Sequence, residues 1–191
     1  MPKYVQEHIL NQDTYMAWKH SHKEQTRERI LASAARLFTE HGFEQISIDQ
    51  VMTDAKLTRG AFYAHFTSKS ALYREAIQTA ANNSISLLPP TPSHTELAER
   101  YLSPEHVKGH GRRCPLAFLV TDISQRDNEV RDTYTSTFQG MVRLLESGGL
   151  CREKALQQAV LMVGGVAIGR ALNDDDLINE MLQSCRPHAE I

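Results

Sequence analysis

Twenty residues, Ser47 to Phe66 (SIDQVMTDAKLTRGAFYAHF), constrain the fold more tightly than any other part of the chain. Ser47 and Gln50 have the spacing of a capping box, in which the serine caps a helix and the glutamine reaches back to the serine amide. The pattern predicts a short helix from Ile48 to Ala55, with Val51, Met52 and Ala55 inward. A tight connection, Lys56-Leu57-Thr58, follows, with Leu57 as its apolar anchor. A second short helix is predicted from Arg59 to His65, capped by Thr58. Phe62 and Phe66, four residues apart, share its inner side. The outer side carries Thr58, Arg59, Gly60, Tyr63 and His65, with Lys69 just beyond. That face is too polar for ordinary core, and a glycine in a first turn costs on the order of 1 kcal/mol against alanine. Two short helices with an unspent polar face have the layout of a helix-turn-helix that reads the DNA major groove.

The flanking segments read as helices too. Thr26 to His41 carries Ile30, Ala34, Leu37 and Phe38 at helical spacing, and Gly42 suits a left-handed stop. Ser68 opens a helix running toward Leu88, which Pro89, Pro90 and Pro92 then end. Ser93 and Glu96 form a second capping box, Pro104 opens a short helix, and Cys114-Pro115 opens another reaching Ile123. Asp127 caps a helix from Asn128 to Glu146. A further helix spans Arg152 to Leu172, and a last one follows the acidic run at Asp174 to Asp176. No segment has β-periodicity, so the class is all-α. Residues 1–22 admit three readings: a loosely ordered arm, a short helix packed on the first core helix, or a basic arm touching DNA.

Bulk composition agrees with a globular chain: 41% apolar and 23% charged residues. No apolar run approaches the ~18 residues that span a membrane, and the N-terminus lacks the apolar core of a secretory signal. Three cysteines, an odd and small number, are expected as free thiols in a reducing cytoplasm. The net charge of −2 excludes a bulk polycation. Lys19 to Glu75 nevertheless holds nine Lys/Arg against seven Asp/Glu, a mild basic bias suited to a small DNA footprint.

The stretch Thr26 to Leu72 resembles the DNA-binding domain of the tetracycline-repressor (TetR) family of bacterial transcriptional regulators. The resemblance is carried by A-x-x-L-F at Ala34 to Phe38, Gly42-Phe43, the capped second helix, and R-G-x-F-Y-x-H-F followed by S-K-x-x-L. It covers about a quarter of the chain. It implies a dimeric repressor with a ligand-responsive C-terminal domain, whose last two long helices pair with those of a second subunit. The segment GRRCPLAFLVTDISQRDNEVRDTY is similar to one C-terminal subgroup of the family. The expected organisation is an N-terminal extension (1–22), a three-helix helix-turn-helix domain (23–70) and a helical ligand-binding and dimerisation domain (71–191).

DNA recognition needs phosphate contacts for affinity and base-edge contacts for sequence choice. Arg59 in the first turn of the second short helix can meet guanine O6 and N7 with both arms. Ser47 and Thr58 stand at helix N-termini, where hydroxyls and unpaired amides meet phosphates. Gly60 lets a backbone come close. Tyr63 can lie along the backbone or a thymine methyl, and His65 and Lys69 are placed for phosphates. A second copy related by two-fold symmetry would extend the site to a palindrome. Gly164, Gly165 and Gly169 allow close helix approach, either within the chain or at a subunit interface.

For the effector, Arg113, Cys114, Leu116, Phe118, Leu119, Tyr134, Phe138, Met141, Met162 and Val166 either line an apolar cavity or are plain core. His110, Arg112 and Arg113 stand near its expected mouth. Cys114, after two arginines and before a helix, is placed for a lowered thiol pKa and an oxidation-sensing role, with an inert helix residue as the alternative. No cofactor is expected. His110, Cys114 and Asp122 lie on one local stretch without an oxyanion motif, a phosphate loop or metal spacing, so an enzyme is not expected. A DNA-free dimeric module remains the third class. The expected partners are an operator duplex, a second copy of the chain and an unidentified small molecule.

Overall fold

The structure is a computed structural model that describes residues 3–86, 88–110 and 113–187, with side chains from His22 onward. Eleven helices and no strand occur among the described residues. Helix α1 spans Lys3–Gln45, α2 Ile48–Asp54, α3 Arg59–Tyr63 and α4 Lys69–Ile85. Then come α5 (His94–Tyr101), α6 (Pro104–Val107), α7 (Pro115–Phe118), α8 (Val120–Ile123), α9 (Asn128–Ser147), α10 (Arg152–Gly169) and α11 (Asp175–Ser184). None of these helices is long and apolar enough to cross a membrane.

The caps explain most of the boundaries. Both capping boxes are present, at Ser47/Gln50 and at Ser93/Glu96, and the Asp127 carboxylate accepts the Val130 N–H at 3.0 Å to start α9. Asp174 accepts from Asp176 and Leu177 to start α11. Three expectations need correction. The first helix does not begin at Thr26: α1 is already helical from Lys3, and the Thr26 hydroxyl donates to the His22 carbonyl inside it. This also replaces a loosely ordered arm with helical backbone, while the readings of residues 1–21 that depend on side-chain packing or DNA contact lie outside the described residues. Gly42, by contrast, is the left-handed stop expected from the sequence: it interrupts α1 at φ 78°, the region that favours glycine. The helix after Cys114-Pro115 is split in two at Leu119 (φ −118°, ψ 5°).

The split separates two cores. In the first, Ile30, Phe38, Val51, Met52, Phe62, Leu72 and Tyr73 pack α1–α4 together, joined by Leu119, Ile123 and Val130 from beyond. In the second, Leu97, Leu102, Leu145, Ala159, Met162 and Val166 hold α5, α9 and α10, with α11 added through Ile178 and Leu182. Helix α4 runs from the first core to the second region, so it is the rod between them.

Gly165 and Gly169 resolve one open alternative. A β-carbon on Gly165 would stand 3.0 Å from Leu102 and one on Gly169 3.1 Å from Val107, so both serve a crossing within the chain. Gly164 faces open space.

Candidate nucleic-acid interface and ligand cavity

The candidate interface is built from the inside out. Phe62 is fully buried and Phe66 nearly so, their rings stacked 5.8 Å apart, which fixes the rotation of α3. With Phe62 inward, Arg59, Gly60 and Tyr63 must point away from the core. Arg29 of α1 holds the end of α2 by donating to the Ala55 carbonyl at 2.6 Å. Lys56, at φ 55°, makes the turn between α2 and α3.

Tyr63 is 60% exposed, although burying an aromatic side chain is worth ~2 kcal/mol, so its position is dictated by the face and not by packing. The Arg59 guanidinium is equally open and pairs with Asp49 at 2.7 Å. Hydrogen bonding to Tyr63 and the charge of Asp49 raise its pKa. An exposed pair of this kind is worth ~0–1 kcal/mol, so a phosphate or a guanine edge can replace Asp49 at small cost. Above Gly60 the space is open: a β-carbon there would meet only Thr58 Oγ1 at 4.0 Å.

The remaining sequence candidates are placed differently from one another. Ser47 is exposed, and its hydroxyl accepts the Gln50 N–H at 3.2 Å, so it is spent as a cap. Thr58 occupies the N-cap position of α3, but its hydroxyl makes no cap bond. The expected side-chain cap is therefore absent. Lys69 lies 4.0 Å over the Phe43 ring, and burial lowers its pKa. His65 is the clearest departure. It is half-buried and not outward, its Nδ1 is buried without a partner, and burial followed by the charges of Lys23 and Arg27 lowers its pKa. At neutral pH it brings no positive charge to a phosphate.

The second feature is a cavity of about 420 Å³ between the end of α4, α5, α9 and α10. Its wall is mostly apolar and includes Ile85, Leu97, Leu116, Met141, Leu145 and Met162. Of the residues expected there, Cys114, Leu116, Met141 and Met162 line it, and so does His110. The others do not. Arg113 turns to the Glu40 carboxylate of α1 at 3.4 Å. Phe118 is clamped between the Arg170 guanidinium, 3.6 Å from its centroid, and the His106 ring. Tyr134 donates its hydroxyl to the Leu116 carbonyl at 2.6 Å and packs on the first core. Phe138 is used as packing for the second core and for the Cys114–Leu116 cluster. Val166 is fully buried. Leu119 belongs to the first core, and Arg112 lies outside the described residues.

Cys114 is also corrected. It is buried, and burial pushes its thiol pKa up. Arg113 faces away toward Glu40, and a four-residue α7 supplies little dipole. Sequence reasoning missed Tyr101, His106 and the last turn of α4 as cavity wall. The sequence signal for His106 was weak: Ser103-Pro104 fixes its helix, but the packing of its ring edge-on to Tyr101 at 4.5 Å is visible only in the fold.

With this geometry in place, likeness to known proteins is informative. Residues 30–76 match the family model for bacterial regulatory proteins of the tetR family. The chain is 24% identical to the HTH-type transcriptional repressor BepR of Brucella suis biovar 1 (strain 1330), over 87% of its own length and 95% of that protein. It is 38% identical to the HTH-type transcriptional regulator AcrR of Shigella flexneri, but there it matches only 28% of the relative's length, with 31% of its own. The reduced form of Escherichia coli NemR superposes with a TM-score of 0.69 at 17% identity, over 87% of this chain and all of that one. A TetR family regulator from Cytophaga hutchinsonii gives 0.69 at 19% identity, over 85% and 92%. At such identities the superpositions establish the fold.

Proposed function

Because the chain belongs to the TetR family of bacterial transcriptional regulators, we propose that it is a repressor that holds a palindromic operator as a dimer and releases it when a small molecule fills the C-terminal cavity. It is a DNA-binding regulator and not an enzyme. The observation that carries the DNA role is the pairing of a fully buried Phe62 with a wide-open Arg59 and Tyr63 on one five-residue helix. Folding alone has no use for that outer face. Arg59 reads a base edge, Tyr63 and Lys69 meet the backbone, and Gly60 permits close approach. The polar residues at the N-termini of α2 and α3, Ser47 and Thr58, flank the same groove.

A helix of this length covers only a few base pairs, so specificity requires a second copy. Exposed apolar side chains support a second copy. Val160 (61% exposed), Leu161 and Ile168 of α10, with Leu177 of α11, form an apolar stripe left in the open by a single chain. Two copies joined there would place two reading heads on one side of a duplex in the bacterial cytoplasm. BepR, similar along nearly its whole length, is named a repressor, and that supports repression as the direction of control. A ligand that fits only the spacing incompatible with the operator shifts the population off DNA.

Selection of bound duplexes from a random pool tests the reading. The expected result is a palindrome with half-sites about one helical turn, or a multiple, apart. Arg59→Ala should cost ~1–3 kcal/mol of binding and relax the preference at one position per half-site, with fold and dimer intact. A pool that returns no preferred sequence, or an unchanged Arg59→Ala variant, rejects it in favour of a DNA-free dimeric module.

A further inference from the structure

A carboxylate stands on the face that the proposed function gives to DNA. The buried Val51 and Met52 fix the rotation of α2 and leave the Asp49 side chain 57% exposed. Its Oδ2 accepts from Nη1 of Arg59, across the turn on α3, at 2.7 Å. The same guanidinium hydrogen-bonds Tyr63. Asp49, Arg59 and Tyr63 therefore form one outward row drawn from both short helices. Folding explains little of this arrangement. An acidic residue in a first turn favours the helix dipole, and an exposed ion pair adds almost nothing to stability. Neither effect requires the carboxylate to stand beside the residue that faces a base edge. Toward DNA the placement is costly, because a carboxylate near the phosphates is repelled by them.

That cost is offset if the carboxylate finds a donor in the groove. Among the described residues Arg59 is the one donor to it. When Arg59 turns both arms to guanine O6 and N7, this donor is withdrawn, and an ionised carboxylate can only accept. The base edges then decide whether it is satisfied. Cytosine N4 and adenine N6 are donors; guanine O6 and N7 and thymine O4 are acceptors, which repel it. Reach narrows the choice further. Asp49 stands one hydrogen bond from the guanidinium, and successive base pairs are ~3.4 Å apart along the duplex. The guanidinium covers the guanine it reads, which leaves the carboxylate the pair next to it.

We infer that Asp49 is a specificity-determining residue: it accepts a hydrogen bond from cytosine N4 or adenine N6 at the base pair next to the guanine read by Arg59, and it excludes guanine and thymine from that strand position. The inference rests on the reading of α3 as the helix that contacts the operator.

Selection of duplexes from a random pool by the native protein, by Asp49→Ala and by Asp49→Asn tests it. Anisotropy titrations at one fixed salt concentration, on duplexes that differ at single positions, then give the preference at each position. The native protein should prefer cytosine or adenine to guanine or thymine beside the guanine of each half-site, by about tenfold per half-site. Asp49→Ala should flatten that position to within about twofold and leave the guanine preferred. Asp49→Asn keeps the shape of the side chain but adds a donor, so it should admit guanine and thymine at the same position. Its near-identical size keeps the test available if Asp49→Ala does not fold.

A native operator without an amino-bearing base beside the guanine overturns the inference. So do variants that keep the native preference at every position. Variants that lose the guanine preference while the neighbouring position is unchanged also overturn it, because Asp49 is then only a brace for Arg59. In these three cases the native protein still selects a sequence, so the operator reading stands and this inference fails alone. A native protein that selects no sequence rejects both.

Discussion

Arg59 and His65 are six positions apart in the same short segment, and the fold treats them in opposite ways. Arg59 is exposed and charged under all ordinary conditions, with Asp49 as its placeholder. His65 is half-buried, and burial with Lys23 and Arg27 holds its pKa below the ordinary 6.5. The unfolded chain therefore takes up a proton at His65 before the folded one does. The stability tied to a neutral His65 is complete above pH 6.5 and is lost as pH falls through the lower folded value. Thermal melts between pH 7.5 and pH 5 should show a steeper fall for the native protein than for His65→Gln. Parallel curves would remove His65 as a source of acid sensitivity. The cysteines give a second test at this scale. Cys151 is exposed and Cys114 is buried with a raised pKa. Quenched alkylation followed by mass spectrometry should label Cys151 first and Cys114 last. Early labelling of Cys114 would restore the electrophile-sensing reading that its burial argues against.

At the scale of elements, the sequence was legible wherever a boundary is decided by its own neighbours. Ser47 with Gln50, Ser93 with Glu96, Asp127 and the proline at Pro104 each start a helix by a bond or a fixed torsion only a few residues long. The inward face of α3 followed from Phe62 and Phe66 for the same reason. What was not legible depends on distant partners. The break at Leu119 lets Leu116 and Ala117 serve one side of the molecule while Leu119 and Ile123 serve the first core, and no local pattern announces that choice. The cavity wall was only partly read because it draws on α4, α5, α9 and α10, and because Phe118, Tyr134 and Arg113 had better partners elsewhere. Gly148 shows how tight one such long-range joint is. It ends α9 where its carbonyl accepts from both the His94 amide at 3.2 Å and, at 2.9 Å, the His94 ring. A β-carbon there would sit 2.7 Å from the His94 backbone nitrogen, which cannot swing aside. Gly148→Ala should lower stability by ~1–3 kcal/mol in urea melts. Gly140, inside the same helix with nothing nearer than 3.9 Å, is the control: Gly140→Ala should raise stability by up to ~1 kcal/mol. Equal effects at the two glycines would contradict the close approach of α5 and α9.

At the scale of the whole molecule, the proposed function requires a physical path from the cavity to α3, which lies in a different core. Asp122 of α8 is placed to connect them. One carboxylate oxygen accepts the Phe43 amide at 3.3 Å, beside the Gly42 kink of α1, and the other accepts the Tyr73 hydroxyl of α4 at 2.6 Å. Burial and this bond push the Tyr73 pKa far above its usual value, so the phenol stays a donor. Arg126 adds a second tie, to Glu44 at 2.5 Å, and Arg113 a third, to Glu40. The stretch from Arg113, next to Cys114 at the cavity, to Arg126 thus grips the first helix at three points and α4 at one. Asp122→Ala leaves a phenol and a backbone amide without their acceptor, at roughly 1–3 kcal/mol for each group that water does not reach. Tyr73→Phe removes the same bond from the other end. If the bond is real, the double variant loses less stability than the two single losses together, by more than ~0.5 kcal/mol in urea melts. Strict additivity would show that the two side chains do not interact. The functional consequence follows from reciprocity, because a cavity ligand can weaken DNA binding only through contacts that differ between the two states. On the proposed function, a cavity ligand that lowers operator affinity should still bind an Asp122→Ala protein that remains folded, but the ratio of operator affinities without and with it should move toward one. An unchanged ratio would place the coupling outside this joint, in α4 itself, whose two ends already touch both sites.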